Sequence, residues 1–284
     1  MARALFAPCI LSVSILGALF ATGCARSPSS LAPHFTGSIG MPHRGVLTKA
    51  AELPREGEGY RLLVRNERHY ATPRFVGVVE RAAAKVARER PGAMLTVGDL
   101  SARHGGKISS HASHRTGRDG DLLLYMTTLE GAPITTTSFV HVGNDGLAFD
   151  EDRQRFLRFD VEREWILVKA LVEDAEARVQ WLFVSRPVRA MLIDWARARG
   201  EPGETILRAM DVMLEPGPPA QSHDDHIHVR IACDLDELAA GCEHTGPTRP
   251  WVMTPEPSLD DGPTTLDLVL SLVQPLSRDA TAAR

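Results

Sequence analysis

The clearest pattern in the chain is the strict alternation of polar and apolar residues from His226 to Ile231. Successive side chains of a strand point to opposite faces, so this stretch is predicted to be a strand with His226 and His228 on one face. The other face carries Ile227, Val229 and Ile231, which are predicted to pack in a core. The strand would therefore hold two imidazoles side by side on a rigid element.

Apolar spacing elsewhere predicts a mixture of helices and strands. Residues spaced at helical intervals predict three long helices and a shorter one, over 73–90, 160–174, 187–199 and 203–214. Short apolar runs predict strands at 60–65, 93–100, 122–125 and 179–184. A loop or hairpin is expected around Asn144-Asp145-Gly146. Together these elements predict an α+β fold, in which a small antiparallel sheet in a single domain is flanked by helices.

The two ends of the chain differ in composition from the domain predicted over 45–245. Residues 1–23 carry a short apolar run from Ile10 to Phe20, which is typical of a secretory signal peptide and too short for a membrane span. The run ends at Ala-Thr-Gly-Cys24, which resembles a bacterial lipoprotein signal, so Cys24 is expected to carry lipid in the periplasm or cell envelope. Residues 24–44 are predicted to be a flexible tether and 246–284 a proline-rich tail.

Cysteine use and charge narrow the possible classes. Cys233 and Cys242 are the pair left in the domain, and in an oxidising compartment a structural disulfide is favoured over a metal or redox site. The formal net charge of -4, with no basic stripe, argues against a nucleic-acid partner.

A second polar cluster runs from His111 to Asp121 and has the residue types of a metal site. Zinc in a hydrolase usually has three protein ligands and one open position for water. His114 and Asp121, from a loop and the start of a strand, would join His228 around one zinc ion. His226 would stand near the open position as a base or as an imidazolium that stabilises an oxyanion. A lone His-x-His is weak evidence, but two histidine clusters next to strand-like runs favour a metal site.

Four further residues near these clusters have alternative interpretations. His111 and His223 are candidates for an additional metal ligand or a substrate contact, and each is equally compatible with a surface position at the end of a loop. Asp119 and Asp225 are either carboxylates that accept an imidazole N–H or plain turn residues.

Other hydrolase signatures are missing from the sequence. It contains no His-Glu-x-x-His helix, no Ser-x-x-Lys and no Gly-x-Ser-x-Gly motif. A cysteine nucleophile is also disfavoured, because both domain cysteines lie in one short C-terminal stretch.

The motifs around the histidine clusters resemble those of the penicillin-insensitive murein endopeptidases. This group is related to D-Ala-D-Ala carboxypeptidases, lysostaphin-like peptidases and the amino-terminal hedgehog domain. The similarity extends from about Gly45 to Cys242. The segments that carry it are Glu52-Leu-Pro, Tyr70-Ala-Thr-Pro73, Val97-Gly-Asp-Leu, Gly105-Gly106, His111-Ala-Ser-His114, Gly117-Arg-Asp-Gly-Asp121, Phe183-Val and His226-Ile-His-Val-Arg230.

The resemblance implies a zinc metallopeptidase with His114, Asp121 and His228 as ligands and His226 as the catalytic histidine. The implied substrate is peptidoglycan, hydrolysed at the D-alanyl–diaminopimelyl cross-link between stem peptides by an activated water. Such an enzyme has no serine for penicillin to acylate. Two alternatives remain at this point, a zinc D,D-carboxypeptidase acting on terminal D-Ala-D-Ala and a non-catalytic wall-binding lipoprotein.

Overall fold

A computed structural model describes residues 36–63, 67–218, 220–247 and 249–252. The predicted signal peptide, Cys24 and the tail beyond 252 lie outside these residues. The strands are β1 (Gly37–Met41), β2 (Arg44–Thr48), β3 (Ala51–Glu52), β4 (Glu56–Gly57), β5 (Tyr60–Leu62), β6 (Tyr70–Ala71), β7 (Leu95–Val97), β8 (Asp119–Leu123), β9 (Met126–Thr127), β10 (Pro133–Ile134), β11 (Leu147–Asp150), β12 (Arg155–Phe159), β13 (Val179–Phe183), β14 (Met213–Leu214) and β15 (His226–Ile231). The helices are α1 (Pro73–Glu89), α2 (Val161–Glu173), α3 (Arg186–Ala198), α4 (Gly203–Val212) and α5 (Leu235–Ala239). Within this part of the chain, no helix combines the length and apolar character needed to cross a membrane.

Seven strands form the central sheet, in the order β14-β13-β15-β8-β7-β5-β4. Its middle is antiparallel, because β15 pairs antiparallel with both β13 and β8. Each flank contains a parallel pair, β13 with β14 and β5 with β7. Helices lie between the members of each pair in the chain, as the crossover between parallel strands requires.

The α+β class and the single domain predicted from the sequence are confirmed, but the sheet is larger and more mixed than expected. The flanking strands β4, β5 and β14 have only two or three residues each. A period of two cannot be recognised over so short a run, so the sequence pattern predicted β5, within 60–65, but neither β4 nor β14. The residues between 133 and 152 likewise contribute β11, which pairs with β12 in a hairpin.

The first hairpin corrects the expected start of the domain. Strand β1 begins at Gly37, upstream of Gly45, and pairs with β2. Gly40 N donates to Gly241 O at 2.8 Å, which connects the hairpin to a segment about 200 residues later in the chain. Because that partner is remote in sequence, local composition could not reveal the contact. The last residues of the tether predicted over 24–44 therefore belong to the folded domain.

The long helices match the predicted bounds closely, and two of them begin at a capping residue. Thr72 Oγ1 accepts a hydrogen bond from Phe75 N at 3.3 Å at the start of α1. Asp160 Oδ1 accepts one from Arg163 N at 3.2 Å at the start of α2. Such caps satisfy backbone N–H groups that have no partner inside the helix.

Both faces of β15 are buried. Ile227, Val229 and Ile231 have no exposed surface, as the alternation predicted. His226 and His228 on the opposite face are also buried, with 9% and 6% of their surface exposed. The alternation thus separates a core from a protected polar site rather than a core from open solvent.

The C-terminal stretch is more structured than the sequence predicted. Cys233 and Cys242 form the predicted disulfide, and helix α5 lies between them. Further on, Arg249 Nη1 donates to Gln180 O at 2.7 Å, and its guanidinium lies 4.4 Å from the Trp181 ring centroid. The first residues of the predicted tail therefore pack against β13.

Candidate metal centre

The register of the central sheet places the predicted residues in adjacent rows. His228 on β15 lies opposite Asp121 of β8 and opposite Phe183 of β13. Arg230, two residues further along, lies opposite Asp119. Residues two apart on a strand share a face, so Asp119 and Asp121 face the same side as their partners on β15.

His114 reaches the same row from the loop that precedes β8. Its φ of 61° lies in the left-handed region, which residues other than glycine seldom occupy. The next residue is fixed by a hydrogen bond from Arg115 N to Pro42 O at 3.1 Å. This conformation buries the His114 side chain completely and brings its Nε2 to 3.3 Å from Asp121 Oδ1.

Three imidazole nitrogens surround a single carboxylate oxygen, Asp121 Oδ1. His228 Nδ1 lies 3.0 Å from it, His114 Nε2 lies 3.3 Å from it and His226 Nε2 lies 3.5 Å from it. Nitrogen and oxygen ligands stand about 2 Å from zinc, so ligands of one ion are spaced by about these distances. The two sequence clusters therefore converge on one point.

The protein leaves several of these atoms without hydrogen bonds. Both ring nitrogens of His114 and Oδ1 of Asp121 are buried and have no hydrogen-bond partner among the described residues. A buried polar group in that state costs about 1–3 kcal/mol. A divalent metal ion would bind these lone pairs, and a set of imidazoles with one carboxylate is a ligand set that zinc uses in hydrolases. The residues present thus fit a metal ion.

His228 is oriented by Asp119. Its Nε2 lies 2.9 Å from Asp119 Oδ1, which also accepts a hydrogen bond from Arg230 Nε at 2.6 Å. A proton on Nε2 leaves the lone pair of Nδ1 directed toward Asp121. Asp119 is therefore an acceptor at the site within β8, not a residue of an exposed turn.

His226 has a comparable partner in the residue before it. Its Nδ1 lies 2.6 Å from Asp225 Oδ1, and its ring is in edge contact with Phe139, with the centroids 5.4 Å apart. A proton on Nδ1 leaves the Nε2 lone pair on the side of Asp121. Asp225 thus also contacts an imidazole.

His111 and His223 both lie at the same cavity but make different contacts. His111 Nε2 lies 3.0 Å from Asp99 Oδ2, and its Nδ1 lies 3.7 Å from Asp121 Oδ2. His223 Nδ1 lies 2.7 Å from Gln221 O, and its ring centroid is 4.7 Å from that of His226. Neither residue is a detached surface histidine.

Two features of the site were missed in the sequence. Asp99, the partner of His111, lies within the predicted strand 93–100 and in a segment that carries the family resemblance, but it was not identified as a site residue. His141 lies outside both histidine clusters of the sequence, yet its Nδ1 is 2.6 Å from Asp224 Oδ1 and 3.8 Å from Asp225 Oδ2. The backbone bond from Val142 N to Asp224 O at 2.9 Å brings these segments together, and no local pattern predicts it.

Among the histidines of the site, the two most buried have pKa values shifted in opposite directions. Burial lowers the pKa of His114, and Asp121 offsets this only in part. Burial also opposes the charged form of His228, but its hydrogen bond to Asp119 and the adjacent Asp121 carboxylate raise its pKa to about 9. Burial also disfavours ionisation of the carboxyl groups of Asp119 and Asp121, yet the pKa of each is lowered. Arg230 is the main cause for Asp119, and His114 is the main cause for Asp121. The carboxylates are thus held ionised at the point where a cation would bind.

The site opens into a cavity of about 580 Å³. The lining includes His114, Asp121, His226 and His228, together with residues of the loop before β15. A cavity of this size can admit a small ligand or part of a larger one beside these residues.

Several known proteins are similar to this chain. Residues 38–250 match the family model described as penicillin-insensitive murein endopeptidase. A penicillin-insensitive murein endopeptidase of Haemophilus influenzae is 30% identical over 217 residues, covering 74% of this chain and 67% of that protein. The enzyme of the same name from Yersinia pestis is 26% identical over 245 residues, 80% of each chain, and that from Klebsiella pneumoniae is 26% identical over 223 residues, 75% of this chain and 72% of the relative. Because the family model covers most of the chain, this protein belongs to the penicillin-insensitive murein endopeptidase family and is a hydrolase of the peptidase type.

Proposed function

We propose that this protein is a zinc-dependent peptidoglycan endopeptidase that hydrolyses D-alanyl–diaminopimelyl cross-links between stem peptides. The observation that carries the proposal is the convergence of His114, Asp121 and His228 on one point, beside His226, at the floor of an open cavity. Membership of the family, with relatives named murein endopeptidases, supports peptidoglycan as the substrate.

Three residues would hold the ion, His114 and His228 through imidazole nitrogens and Asp121 through its carboxylate. Bound zinc polarises a carbonyl group and lowers the pKa of a water molecule enough to make it a nucleophile near neutral pH. The protein prepares these ligands in advance, since Asp119 fixes the orientation of His228 and the loop conformation fixes His114.

His226 is proposed to move the proton. With Nδ1 donating to Asp225, the free Nε2 lone pair accepts a proton from the attacking water and then returns it to the nitrogen of the leaving amine. Asp225 is suited to this role because its hydrogen bond to His226 lowers its pKa in spite of burial, so it stays an acceptor at neutral pH.

His111 and His223 are proposed to contact substrate. Both line the cavity, and burial, together with the neighbouring His226, lowers the pKa of His223 to about 4. His223 is therefore uncharged at neutral pH and can exchange hydrogen bonds with a peptide group without adding positive charge beside the metal ligands.

The proposed place of action is the bacterial periplasm, where peptidoglycan is found. The apolar run of 1–23 would direct export, and a lipid on Cys24 would anchor the domain to the membrane through the residues before β1.

Digestion of purified sacculi followed by separation of the muropeptides tests the proposal. We expect cross-linked dimers to be converted to monomers by the zinc-loaded protein and not by protein treated with a chelator. Loss of terminal D-alanine alone would instead identify a D,D-carboxypeptidase. Binding to sacculi without any release of peptide, in protein that retains its metal, would identify a non-catalytic wall-binding protein.

A further inference from the structure

The site face of β15 carries a third polar residue after its two histidines. His226, His228 and Arg230 are two residues apart, so they share a face and are spaced at about 7 Å intervals along it. Arg230 thus stands one step beyond the proposed ligand His228, on the side away from His226. Its side chain lines the same cavity.

Two neighbouring groups hold the Arg230 side chain in place without using its terminal nitrogens. Its Nε donates to Asp119 Oδ1 at 2.6 Å, and its guanidinium lies 5.3 Å from the Phe183 ring centroid. The terminal nitrogens make no hydrogen bond to any described residue. These nitrogens are not among the fully buried polar atoms that lack a hydrogen-bond partner, and 13% of the side chain is exposed. A guanidinium fixed through Nε and an aromatic ring presents its remaining N–H groups in a constant direction.

The cavity has no second group of this kind. Among the described residues that line it, Arg230 is the one arginine, and no lysine is present. A guanidinium whose two terminal nitrogens are free recognises a carboxylate by charge-assisted hydrogen bonds. The ligand chemistry that Arg230 suits is therefore a free carboxylate located one residue from the metal ligands.

We propose that Arg230 binds the free carboxylate carried by the residue on the leaving side of the scissile bond. The inference rests on the proposed function. In a D-alanyl–diaminopimelyl cross-link, the carbon next to the scissile nitrogen carries such a carboxylate. A terminal D-Ala-D-Ala peptide carries one in the same place. Arg230 would be a specificity residue that selects peptides with this group, whichever of the two supplies it.

The test compares two substrates that differ only in that carboxylate. The first is a cross-linked muropeptide dimer with the free carboxylate on the leaving diaminopimelyl residue, and the second is the same dimer with that carboxylate amidated. A pentapeptide that ends in D-Ala-D-Ala forms a third arm and shows which source of the carboxylate the site accepts. Each is hydrolysed by the zinc-loaded wild type, by Arg230→Gln and by Arg230→Lys. Arg88→Gln is the control, because Arg88 is an exposed residue of α1 paired with Glu58.

We expect the wild type to prefer the free carboxylate, and Arg230→Gln to reduce kcat/KM for that dimer roughly 10- to 100-fold. The amidated dimer should change little, and Arg230→Lys should recover part of the activity because the charge is kept. Binding gives a second readout that does not depend on turnover. Metal-free Arg230→Gln should bind the monomeric diaminopimelyl product more weakly than metal-free wild type, as measured by calorimetry.

Three results would overturn the inference. An equal fall on the free and the amidated dimer would show that Arg230 acts by holding Asp119 and not by binding substrate. If the wild type cleaves neither dimer and does not trim the pentapeptide, the proposed function fails and this inference fails with it. Cleavage by the wild type with no preference between the two dimers would refute the inference and leave the proposed function intact.

Discussion

Two carboxyl groups, Asp121 in the site and Glu164 on helix α2, are equally buried, but their pKa values are shifted in opposite directions. Asp121 is 1% exposed and Glu164 is fully buried. Burial opposes ionisation of both, yet histidines hold the pKa of Asp121 well below its usual range. Burial raises the pKa of Glu164 to about 8, against a weaker opposing effect of its hydrogen bond from Tyr125 N.

The neighbours of each group explain the difference. Asp121 Oδ1 has three imidazole nitrogens within 3.5 Å. Glu164 Oε2 accepts one backbone N–H, from Tyr125 at 2.9 Å, and its Oε1 has no hydrogen-bond partner among the described residues. Burial alone therefore does not identify a functional carboxylate. A group kept ionised by several potential ligands marks a metal site, whereas a group kept neutral marks an enclosed position in the core.

The largest expected effect comes from Asp121→Asn. The amide keeps the shape of the side chain but removes the charge between the imidazoles, so we expect metal to be lost and hydrolysis to fall about 1,000-fold or more. Metal content by mass spectrometry and muropeptide release check this. A variant that keeps both metal and activity would contradict the assignment of Asp121 as a ligand.

His226→Ala is expected to separate catalysis from metal binding. Hydrolysis should fall roughly 10²- to 10⁴-fold, because proton transfer is lost, while metal content stays at the level of the wild type. His104→Ala is a matched control at an exposed histidine. If His226→Ala lost its metal, His226 would be a ligand and the proposed division of roles would be wrong.

Substitutions of the carboxylates that orient His228 and His226 should also separate metal binding from catalysis. Asp119→Asn weakens the partner of His228, so we expect metal affinity to fall about 10- to 100-fold and activity to return when excess zinc is added. Asp225→Asn should lower kcat with little change in metal affinity, because Asp225 contacts His226 and not a proposed ligand. Zinc titration of both variants checks the difference. Equal losses of metal affinity would show that the two carboxylates act on one shared structure.

The sequence predicted β15 and the long helices better than it predicted the rest of the sheet. β15 and the long helices were recognisable because a core imposes a period of two or of 3.6 residues on them. The proposed ligands His114, Asp121 and His228 could be selected because few residue types bind zinc and these occur in two short clusters. The register of β8 and β15 places Asp121 beside His228, and the loop before β8 brings His114 to them.

What the sequence could not predict depends on contacts between remote segments. Asp99 and His141 acquire their site partners only through the fold. Glu164 is similarly hidden. A polar residue on a helix is expected to face solvent, but α2 packs against α1, α3 and α4, which encloses more of its surface than the apolar stripe alone predicts. Tertiary packing determines which polar residues are buried, and that information is not local.

The smallest expected effect on hydrolysis comes from Glu164→Gln, which should instead change stability with pH. In the unfolded chain this carboxyl has an ordinary pKa of 4.5, while in the folded protein the pKa is about 8. The folded state therefore keeps a proton that the unfolded state releases, and wild-type stability should fall as pH rises from about 4.5 to about 8. The neutral amide removes this dependence, so near pH 8 the variant should be more stable by an amount on the order of a few kcal/mol. Urea unfolding of both proteins across this pH range measures the difference.

Glu162→Gln, on the same helix, is the control. Its effect on the free energy of unfolding at neutral pH should have the opposite sign, because the hydrogen bond to Arg90 lowers the pKa of Glu162. Parallel stability curves for wild type and Glu164→Gln would mean that Glu164 is already ionised in the folded protein, and the contrast with Asp121 would not hold.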